Sequence, residues 1–327
     1  MSVHSLKLSL PELSYNSKLF FIGSCFSDNM ADKLLQDKFD VISNPFGIIF
    51  HPDAIVTVLT RVLDDVKYEE SDFFQRDGYW FCYEHHSKHA QRDLSNYVKQ
   101  ANDLLSLVRE QLQETDTMFI TWGSAWGYEL EGQIVANCHQ QDSKLFKKKL
   151  LDIKNSQVLV QDLIKKLQAL NDAIMVVFTV SPVRHYKDGL VENQQSKSLL
   201  NILCHNICKD NSKSFYFPSY EFVIDHLRDY SFYNADEVHP NDLAVDQIYS
   251  FFVEHFFREE VKEVIDNWQG LNNSYQHRSL RKYSVSNLKF KEKLLKQLQN
   301  FERSANISCG NEIKSVKKQI SEIRQGI

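Results

Sequence analysis

Short apolar runs alternate with amphipathic stretches along most of this chain, and the alternation predicts repeated β/α units. The apolar runs predict strands of one main sheet at residues 19–22, 39–43, 117–121, 174–180 and 214–217. Between these runs, apolar residues recur every three or four positions, as in helices that pack through one face. Strands that alternate with helices usually run parallel, so we expect an α/β fold with a parallel sheet covered by helices on both faces.

The segments between these strands complete the predicted order of elements. Helices are predicted directly after the first strand and at residues 52–62, 93–114, 144–170, 195–208 and 241–257. A further short strand is predicted at residues 133–137. Asp77-Gly78 lies between two aromatic runs and indicates a β-hairpin, which we expect to lie outside the main sheet.

The first strand ends at Gly23-Ser24 and leads straight into a predicted helix. Glycine permits a sharp turn, and the unpaired N–H groups at the start of a helix favour negative charge beside the serine. We expect Ser27 to be the N-cap of this helix. Such a strand–turn–helix can present a nucleophile, but it also occurs for packing alone.

A second segment with catalytic side chains lies far along the chain, at Asp236-x-x-His239-Pro240. Pro240 is expected at the first position of the following helix. A serine hydroxyl needs an adjacent base to become a good nucleophile, and a carboxylate fixes the tautomer of that base. Asp236 and His239 supply both groups, although an isolated pair of this kind also serves as a turn and a helix start.

Several segments resemble the GSCFA-domain proteins, a branch of the SGNH (GDSL-like) hydrolase superfamily. They follow the order of the family across residues 15–258: Gly23-Ser24-Cys25-Phe26, Asn44-Pro45-Phe46-Gly47-Ile48, Asn137-Cys138-His139, Ser181-Pro182-Val183, Ser196-Lys197, Tyr216-Phe217-Pro218-Ser219-Tyr220-Glu221 and Asp236-x-x-His239-Pro240. The resemblance implies a three-layer, flavodoxin-like sheet. It also implies Ser24 as the nucleophile, His239 as the base and Asp236 as the carboxylate that orients the base.

Small and polar residues follow the predicted strands, namely Asn44 to Gly47, Gly123-Ser124, Asn137 to His139 and Ser181-Pro182. An open α/β sheet leaves its crevice at the carboxyl ends of its strands, so we expect the site at these ends. We expect Asn44 and His139 to contribute to substrate binding there. For His139 and His185, a structural hydrogen-bonded role is the alternative.

The oxyanion hole is expected to depart from the superfamily pattern. The superfamily uses the N–H of the nucleophile, a glycine N–H after the second strand and the asparagine of a G-x-N-D segment. The resemblance implies Gly47 as the glycine. After the third strand, however, the chain reads Gly123-Ser124-Ala125-Trp126, without an asparagine. We expect Asn137 to take that role, with a plain turn residue as the alternative.

Two features leave other chemistry open. Glu84-His85-His86-Ser87-Lys88-His89 gathers three imidazoles, which could bind a divalent metal, but no carboxylate cluster accompanies them. Cys25 could attack in place of Ser24, because a helix N-terminus lowers the pKa of a thiol. The family resemblance favours Ser24. We expect no metal and no cofactor.

Composition excludes several classes of protein. The 327 residues are 43% hydrophobic and 25% charged, as in an ordinary globular protein. Residues 1–14 do not have the pattern of a secretory signal, and no apolar run approaches the ~20 residues of a membrane helix. The six cysteines lack metal-binding spacing. We expect reduced thiols in a cytoplasmic protein without a membrane span.

The charge of the chain changes towards its end. Residues 278–327 contain 12 Lys and Arg against 4 Asp and Glu, a net charge of +8, whereas the preceding residues carry −13. Apolar residues repeat at helical spacing on both sides of residues 308–311, which predicts two basic amphipathic helices. We therefore predict a catalytic domain at residues 1–258 and a helical extension at residues 259–327. The extension is expected to dock on the acidic domain or to form a homo-oligomer. Binding to nucleic acid or to an anionic membrane is the less favoured alternative, so we expect no nucleic-acid partner.

Together these features predict a serine esterase of SGNH type. Its expected substrate is an O-acyl ester, such as an acetylated carbohydrate, and transfer of the acyl group to a second alcohol stays open. The alternative is a non-catalytic binding module on the same fold, which the missing G-x-N-D asparagine favours.

Overall fold

The structure is a computed structural model that describes residues 8–327. These residues form two compact units: residues 8–35 with 39–256, and residues 36–38 with 257–327. The strands are β1 (Lys18–Gly23), β2 (Asp40–Ser43), β3 (Phe73–Arg76), β4 (Tyr79–Cys82), β5 (Thr117–Trp122), β6 (Trp126–Leu130), β7 (Gln133–Val135), β8 (Lys147–Leu150), β9 (Met175–Val180) and β10 (Ser214–Tyr216). The helices are α1 (Cys25–Gln36), α2 (Pro52–Leu63), α3 (Leu94–Glu114), α4 (Ile153–Leu170), α5 (Leu190–Asp210), α6 (Ser219–Glu221), α7 (Asp242–Phe256), α8 (Glu259–Gln276), α9 (Val285–Ala305) and α10 (Gly310–Gly326).

A parallel sheet of five strands forms the centre of the first unit. Its order is β2-β1-β5-β9-β10, and all four neighbouring pairs are parallel. The predicted α/β fold with a parallel sheet between helices is therefore confirmed. The strand order reverses between β1 and β5, and ligands of open α/β sheets bind outside the carboxyl ends of the strands at such a switch point.

Helices bury both faces of this sheet. On one face, Phe20, Ile22 and Phe178 pack in a core that also contains apolar residues of α2 to α5. On the other face, Phe21 stacks on Phe119 with ring centroids 4.4 Å apart, and α7 packs against Phe119 through two of its own phenylalanines. Burial of side chains of this size stabilises the fold by about 1.5–3 kcal/mol each, so the sheet is a rigid platform for whatever its edge carries.

Two small antiparallel sheets lie outside the central sheet. The predicted hairpin is β3 and β4, which turn at Asp77 and Gly78 with left-handed φ angles of 50° and 76°. The second small sheet has the order β7-β6-β8. The predicted short strand at residues 133–137 is present as β7, but it belongs to this sheet, so residues 137–139 do not lie at a strand end of the central sheet.

The prediction of one helix over residues 144–170 is also wrong. Residues 147–150 form β8, which pairs with β6, and α4 begins only at Ile153. The helix cannot extend further back because Asp152 is its N-cap and accepts a hydrogen bond from the Asn155 N–H at 3.1 Å.

The second unit consists of α8, α9 and α10 together with residues 36–38. Its core contains Trp268, Leu298 and Val316, one from each helix. The two predicted amphipathic helices are present as α9 and α10, whereas α8 was not predicted separately. Among residues 8–327, no helix is both long enough and apolar enough to cross a membrane.

Candidate active site

The turn that carries Ser24 connects β1 to α1 without an intervening loop. Gly23 has a φ of 141°, and a Cβ atom there would lie 2.1 Å from the Thr121 carbonyl oxygen of β5. Only glycine fits between the two strands at this point. The Ser24 N–H continues the sheet pairing by donating to Thr121 O at 3.1 Å. Ser24 therefore stands at the switch point of the sheet, and it is 5% exposed.

Helix α1 begins at Cys25, directly after Ser24. Ser24 Oγ accepts a hydrogen bond from the Phe26 N–H at 3.3 Å, and Ser24 O accepts one from the Ser27 N–H at 2.9 Å. Ser24 thus occupies the capping position, and the prediction of Ser27 as N-cap is wrong. The Ser27 hydroxyl is buried and donates to Thr121 Oγ1 at 2.8 Å.

Asn44 holds this turn from the end of β2. Its Oδ1 accepts a hydrogen bond from the Gly23 N–H at 2.8 Å. Its Nδ2 donates to Asp28 Oδ1 at 2.8 Å and to Ser24 O at 3.4 Å. Asn44 is 1% exposed, so its polar atoms fix the backbone around Ser24.

Gly47 closes a tight turn with Asn44. Its N–H donates to Asn44 O at 2.8 Å, and its φ is 84°. A Cβ atom at Gly47 would lie 2.2 Å from His86 Cβ, so His86 packs directly on this glycine. The N–H that was predicted as an oxyanion donor is thus engaged within the turn.

Asp236 and His239 form a pair in the loop before α7. His239 Nδ1 donates to Asp236 Oδ2 at 2.7 Å, because a carboxylate can only accept. Asp236 Oδ1 accepts from the Val238 and His239 N–H groups at 2.9 and 3.0 Å. These two backbone donors, followed by the imidazole, lower the pKa of Asp236 to about 2. The pair leaves Nε2 of His239 as the nitrogen available to a substrate or a nucleophile.

The helix start beyond this pair differs from the prediction. Helix α7 begins at Asp242, and Asn241 Oδ1 caps it by accepting the Ala244 N–H at 3.1 Å. The prediction of Pro240 as the first helical residue is therefore wrong, because Asn241 takes the capping position after it. Both side chains of the Asp236–His239 pair are about half exposed, at 49% and 48%.

The loop of this pair is attached to the segment that follows β9. The Arg184 N–H donates to Val238 O at 3.3 Å. The next residue, His185, packs its ring 5.8 Å from the ring of Phe50. The loop therefore lies beside the carboxyl end of β9, which is the neighbour of β5.

Phe50 and Gly123 connect this segment to Ser24. A Cβ atom at Gly123 would lie 2.6 Å from Phe50 Cβ and 3.5 Å from Ser24 Cβ. Contacts thus lead from Ser24 across Gly123 and Phe50 to His185, and the neighbouring Arg184 is hydrogen-bonded to the loop that carries His239. Ser24 Oγ and His239 Nε2 do not hydrogen-bond each other, and the only described partner of Ser24 Oγ is the Phe26 N–H.

His185 has an unusual environment in this series. Burial lowers its pKa to about 4; Lys197 acts in the same direction, and Asp188 opposes it. Its Nε2 is buried and lacks a hydrogen-bond partner among the described residues. Buried polar atoms of native proteins are nearly always satisfied, so this nitrogen is a group that a bound ligand could satisfy.

Asn137 and His139 lie together in a different turn. Asn137 Oδ1 accepts the His139 N–H at 2.7 Å. The His139 ring bridges Cys82 O, at 2.7 Å from Nε2, and Ser87 Oγ, at 2.9 Å from Nδ1. These contacts join the turn to the hairpin of β3 and β4, and none of the described contacts of Asn137 or His139 reaches Ser24.

Two alternatives were left open by the sequence, a metal site at the histidines of residues 84–89 and Cys25 as the nucleophile. Burial lowers the pKa of His85 to about 3, and its Nδ1 faces the Tyr97 hydroxyl at 3.3 Å. The His, Cys, Asp and Glu side chains of residues 8–327 include no group of three or more that could hold a metal ion. Burial, and then the charge of Asp28, raise the pKa of the Cys25 thiol, which disfavours a thiolate.

Lys197 was not singled out as a site residue from the sequence, although it lies under the strand ends. It is fully buried in α5, and its Nζ donates to Gly123 O at 2.6 Å and to Ser181 O at 2.8 Å. Burial lowers its pKa to about 7. A signal existed, because Lys197 shares the apolar stripe of its helix with Leu200, Cys204 and Ile207. Lys197 thereby ties the carboxyl ends of β5 and β9 together.

Two family models match the chain. Residues 18–252 match the model of the GSCFA family. Residues 268–322 match the model described as GSCFA domain protein, C-terminal domain. No curated protein matches the sequence.

Proposed function

The chain belongs to the GSCFA family, and from this premise we propose that it is a serine esterase related to the SGNH hydrolases. In this proposal residues 1–258 are the catalytic domain and residues 259–327 an extension. The observation that carries the proposal is the Asp236–His239 hydrogen bond. The loop of this pair is hydrogen-bonded to the segment after β9, in the same sheet whose β1 is followed directly by Ser24. In this proposal the nucleophile, the base and the carboxylate act together at the carboxyl ends of the strands.

The proposed reaction is acyl transfer to water. Ser24 Oγ attacks the carbonyl carbon of the ester while His239 Nε2 takes the hydroxyl proton. The tetrahedral intermediate collapses, and His239 returns the proton to the departing alcohol. Water then attacks the acyl group on Ser24, again with His239 as the base, and the carboxylic acid leaves. Asp236 holds the ring through Nδ1 and stabilises its protonated form.

The negative charge of the intermediate requires hydrogen-bond donors. Each such donor contributes roughly 3 kcal/mol to the stability of the transition state. The Cys25 N–H at the start of α1 has no oxygen acceptor among the described residues, so we propose it as one donor. Gly47 and Asn137 stay predicted donors, and Gly47 would have to exchange its bond to Asn44 O for one to the substrate.

The surroundings of the pair favour an O-acylated carbohydrate as substrate. A cavity of about 90 Å³ beside the loop is lined by Arg184, Tyr186, Tyr230, Tyr233 and Glu237, among others. Sugar rings present apolar faces and hydroxyl groups, and tyrosines offer an apolar face with a polar tip. A cavity this small receives only part of a ligand, so we propose it as one edge of the substrate site.

One observation favours a second function, a binding module without turnover. The Ser24 and Gly47 N–H groups both have intramolecular acceptors, and Ser24 Oγ is not bonded to His239 Nε2. A module of this kind would use the same cleft and bind an acylated ligand without cleaving it.

Hydrolysis assays distinguish the two functions. We expect the wild-type protein to release acetate from p-nitrophenyl acetate and from acetylated sugars, and Ser24→Ala to lose this activity. Ser198→Ala is the control, because Ser198 is an exposed serine of α5. Equal rates for wild type and Ser24→Ala would refute the esterase. Release of acyl product only in the presence of a second alcohol would identify a transferase.

A further inference from the structure

A cavity in the second unit has the composition of an anion site. It measures about 400 Å³, within the range of small-molecule sites, and is lined by the end of α8, the following loop, α9 and α10. Its basic lining residues are His277, Arg278, Lys282 and Lys291. No Asp or Glu is among the described residues that line it. All its lining residues belong to the second unit, whereas Ser24, Asp236 and His239 belong to the first.

Lys291 is the most informative of these residues. It is 5% exposed, yet its ammonium group has no hydrogen bond or ion pair among the described residues. Its Nζ lies over the face of the neighbouring Phe290 ring, 5.6 Å from the ring centroid. Partial desolvation lowers the pKa of Lys291, and an anion beside its ammonium group would offset that cost.

The position of Lys291 in α9 strengthens this point. The buried stripe of α9 consists of Asn287, Lys291, Leu294, Leu298 and Phe301. Its last three members are apolar and its first two are polar, and both polar members line the cavity. A lysine and an asparagine on a core-facing stripe break the local pattern of the helix, which is expected at functional sites.

The other cations differ in their partners. Arg278 is exposed and has no described ion pair, whereas Lys282 pairs with Glu322 at 3.2 Å. Two cations, Arg278 and Lys291, therefore lack a counter-ion. A monocarboxylate would neutralise one of them, but a phosphate dianion can neutralise both, with the arginine fork and the lysine as complementary donors.

We propose that this cavity binds the phosphate monoester group of a small organic molecule. Lys291 and Arg278 hold the phosphate, whereas Asn287 Oδ1, an acceptor without a described partner, is available to a hydroxyl group of the organic part. Tyr275 and Ile323 provide walls for an organic body, since the cavity is larger than a phosphate needs. This site is independent of the proposed esterase.

Binding of inorganic phosphate and glycerol phosphate to the full chain tests the proposal. We expect both to raise the Tm of the wild type and to give a binding isotherm, while glycerol and sodium chloride at equal ionic strength do not. Lys291→Met keeps the length of the side chain and removes its charge. It should weaken binding about 10- to 100-fold, the effect of one charge-assisted hydrogen bond.

Lys293→Met is the matched control, because Lys293 is exposed on the same helix and does not line the cavity. It should bind as the wild type does. The ligand-free Tm of Lys291→Met should equal or exceed that of the wild type, since Lys291 has no described hydrogen bond or ion pair to lose, so loss of binding cannot be attributed to unfolding. No binding by the wild type, or equal binding by Lys291→Met, would overturn the proposal.

Vesicles with and without phosphatidic acid separate the two sources of such a group. Lys291-dependent binding to phosphatidic acid, without binding of glycerol phosphate, would assign the same site to a lipid headgroup. Binding of both variants to any anionic vesicle would reflect the general positive charge of residues 278–327 and would count against a defined site.

Discussion

The two halves of the candidate active site are built in opposite ways. Ser24 is 5% exposed and is fixed by the sheet, by Asn44 and by the start of α1. Asp236 and His239 are about half exposed and are held by hydrogen bonds within their own loop. Changes to the buried half should therefore affect folding and activity together, whereas changes to the exposed half should affect activity alone.

Replacing the base should give the largest effect. We expect His239→Ala to lower kcat by about 10⁴-fold or more, since Ser24 then lacks a proton acceptor. The free energy of unfolding should change by less than about 0.5 kcal/mol, as for other exposed residues. Steady-state kinetics and urea denaturation measure the two quantities. His205→Ala is the control, because His205 is an exposed histidine of α5. A fully active His239→Ala would show that His239 is not the base.

Replacing the carboxylate should have the next largest effect. In Asp236→Asn, the amide keeps Oδ1 for the Val238 and His239 N–H groups, so the loop geometry is retained. The amide nitrogen cannot accept from His239 Nδ1, which favours the wrong tautomer. We expect kcat to fall by about 10²- to 10⁴-fold with little change in stability. An unchanged kcat would show that Asp236 only shapes the loop.

On the buried side, Gly23→Ala should disturb the fold itself. The new Cβ would lie 2.1 Å from Thr121 O in a left-handed backbone conformation. We expect a loss of about 2–5 kcal/mol in the free energy of unfolding, together with loss of activity. Gly270→Ala is the control: Gly270 lies within α8 with open space around it, and alanine should stabilise the helix by about 0.5–1 kcal/mol. A fully stable, active Gly23→Ala would contradict the role given to the turn.

Lys197 should give a smaller effect that depends on pH. The unfolded chain keeps the proton of this amine up to its ordinary pKa of 10.5, whereas the folded chain loses it above about 7. Between these values the unfolded state binds more protons, so the contribution of Lys197 to stability rises with pH.

Lys197→Met removes this rise and leaves Gly123 O and Ser181 O without their donor. We expect a loss of about 1–3 kcal/mol at alkaline pH that shrinks or reverses towards pH 7, where the wild type carries the cost of a buried charge. Urea denaturation across this range measures the difference. A difference that stays constant with pH would show that Lys197 does not titrate as described.

Long, uniform patterns in the sequence predicted most of the fold. The runs that became β1, β5 and β9 are buried along almost their whole length, and such runs have few alternatives in an α/β chain. β8 was missed because Lys147-Lys148-Lys149 has no apolar alternation, so its identity depends on pairing with β6. Tertiary pairing of this kind is not visible in a local pattern.

The sequence predicted one contact of the candidate active site but not the position of Asn137 or the bonds of Asn44. The spacing of Asp236 and His239 predicted their contact, because a short loop keeps both side chains close. Asn137 could not be placed, because a short strand does not reveal which sheet it joins, and β7 joins the small sheet. The local pattern of Asn44 likewise did not reveal its bonds to Gly23 and Asp28, which come from neighbouring elements.

The most direct test of the account is the identification of the residue that a fluorophosphonate probe modifies. Peptide mapping by mass spectrometry should find the adduct on Ser24 in the wild type, none in Ser24→Ala and much slower labelling in His239→Ala. An unmodified Ser24 in a protein that hydrolyses esters, or labelling of Ser24 at the same rate without His239, would contradict the joint action of these two residues.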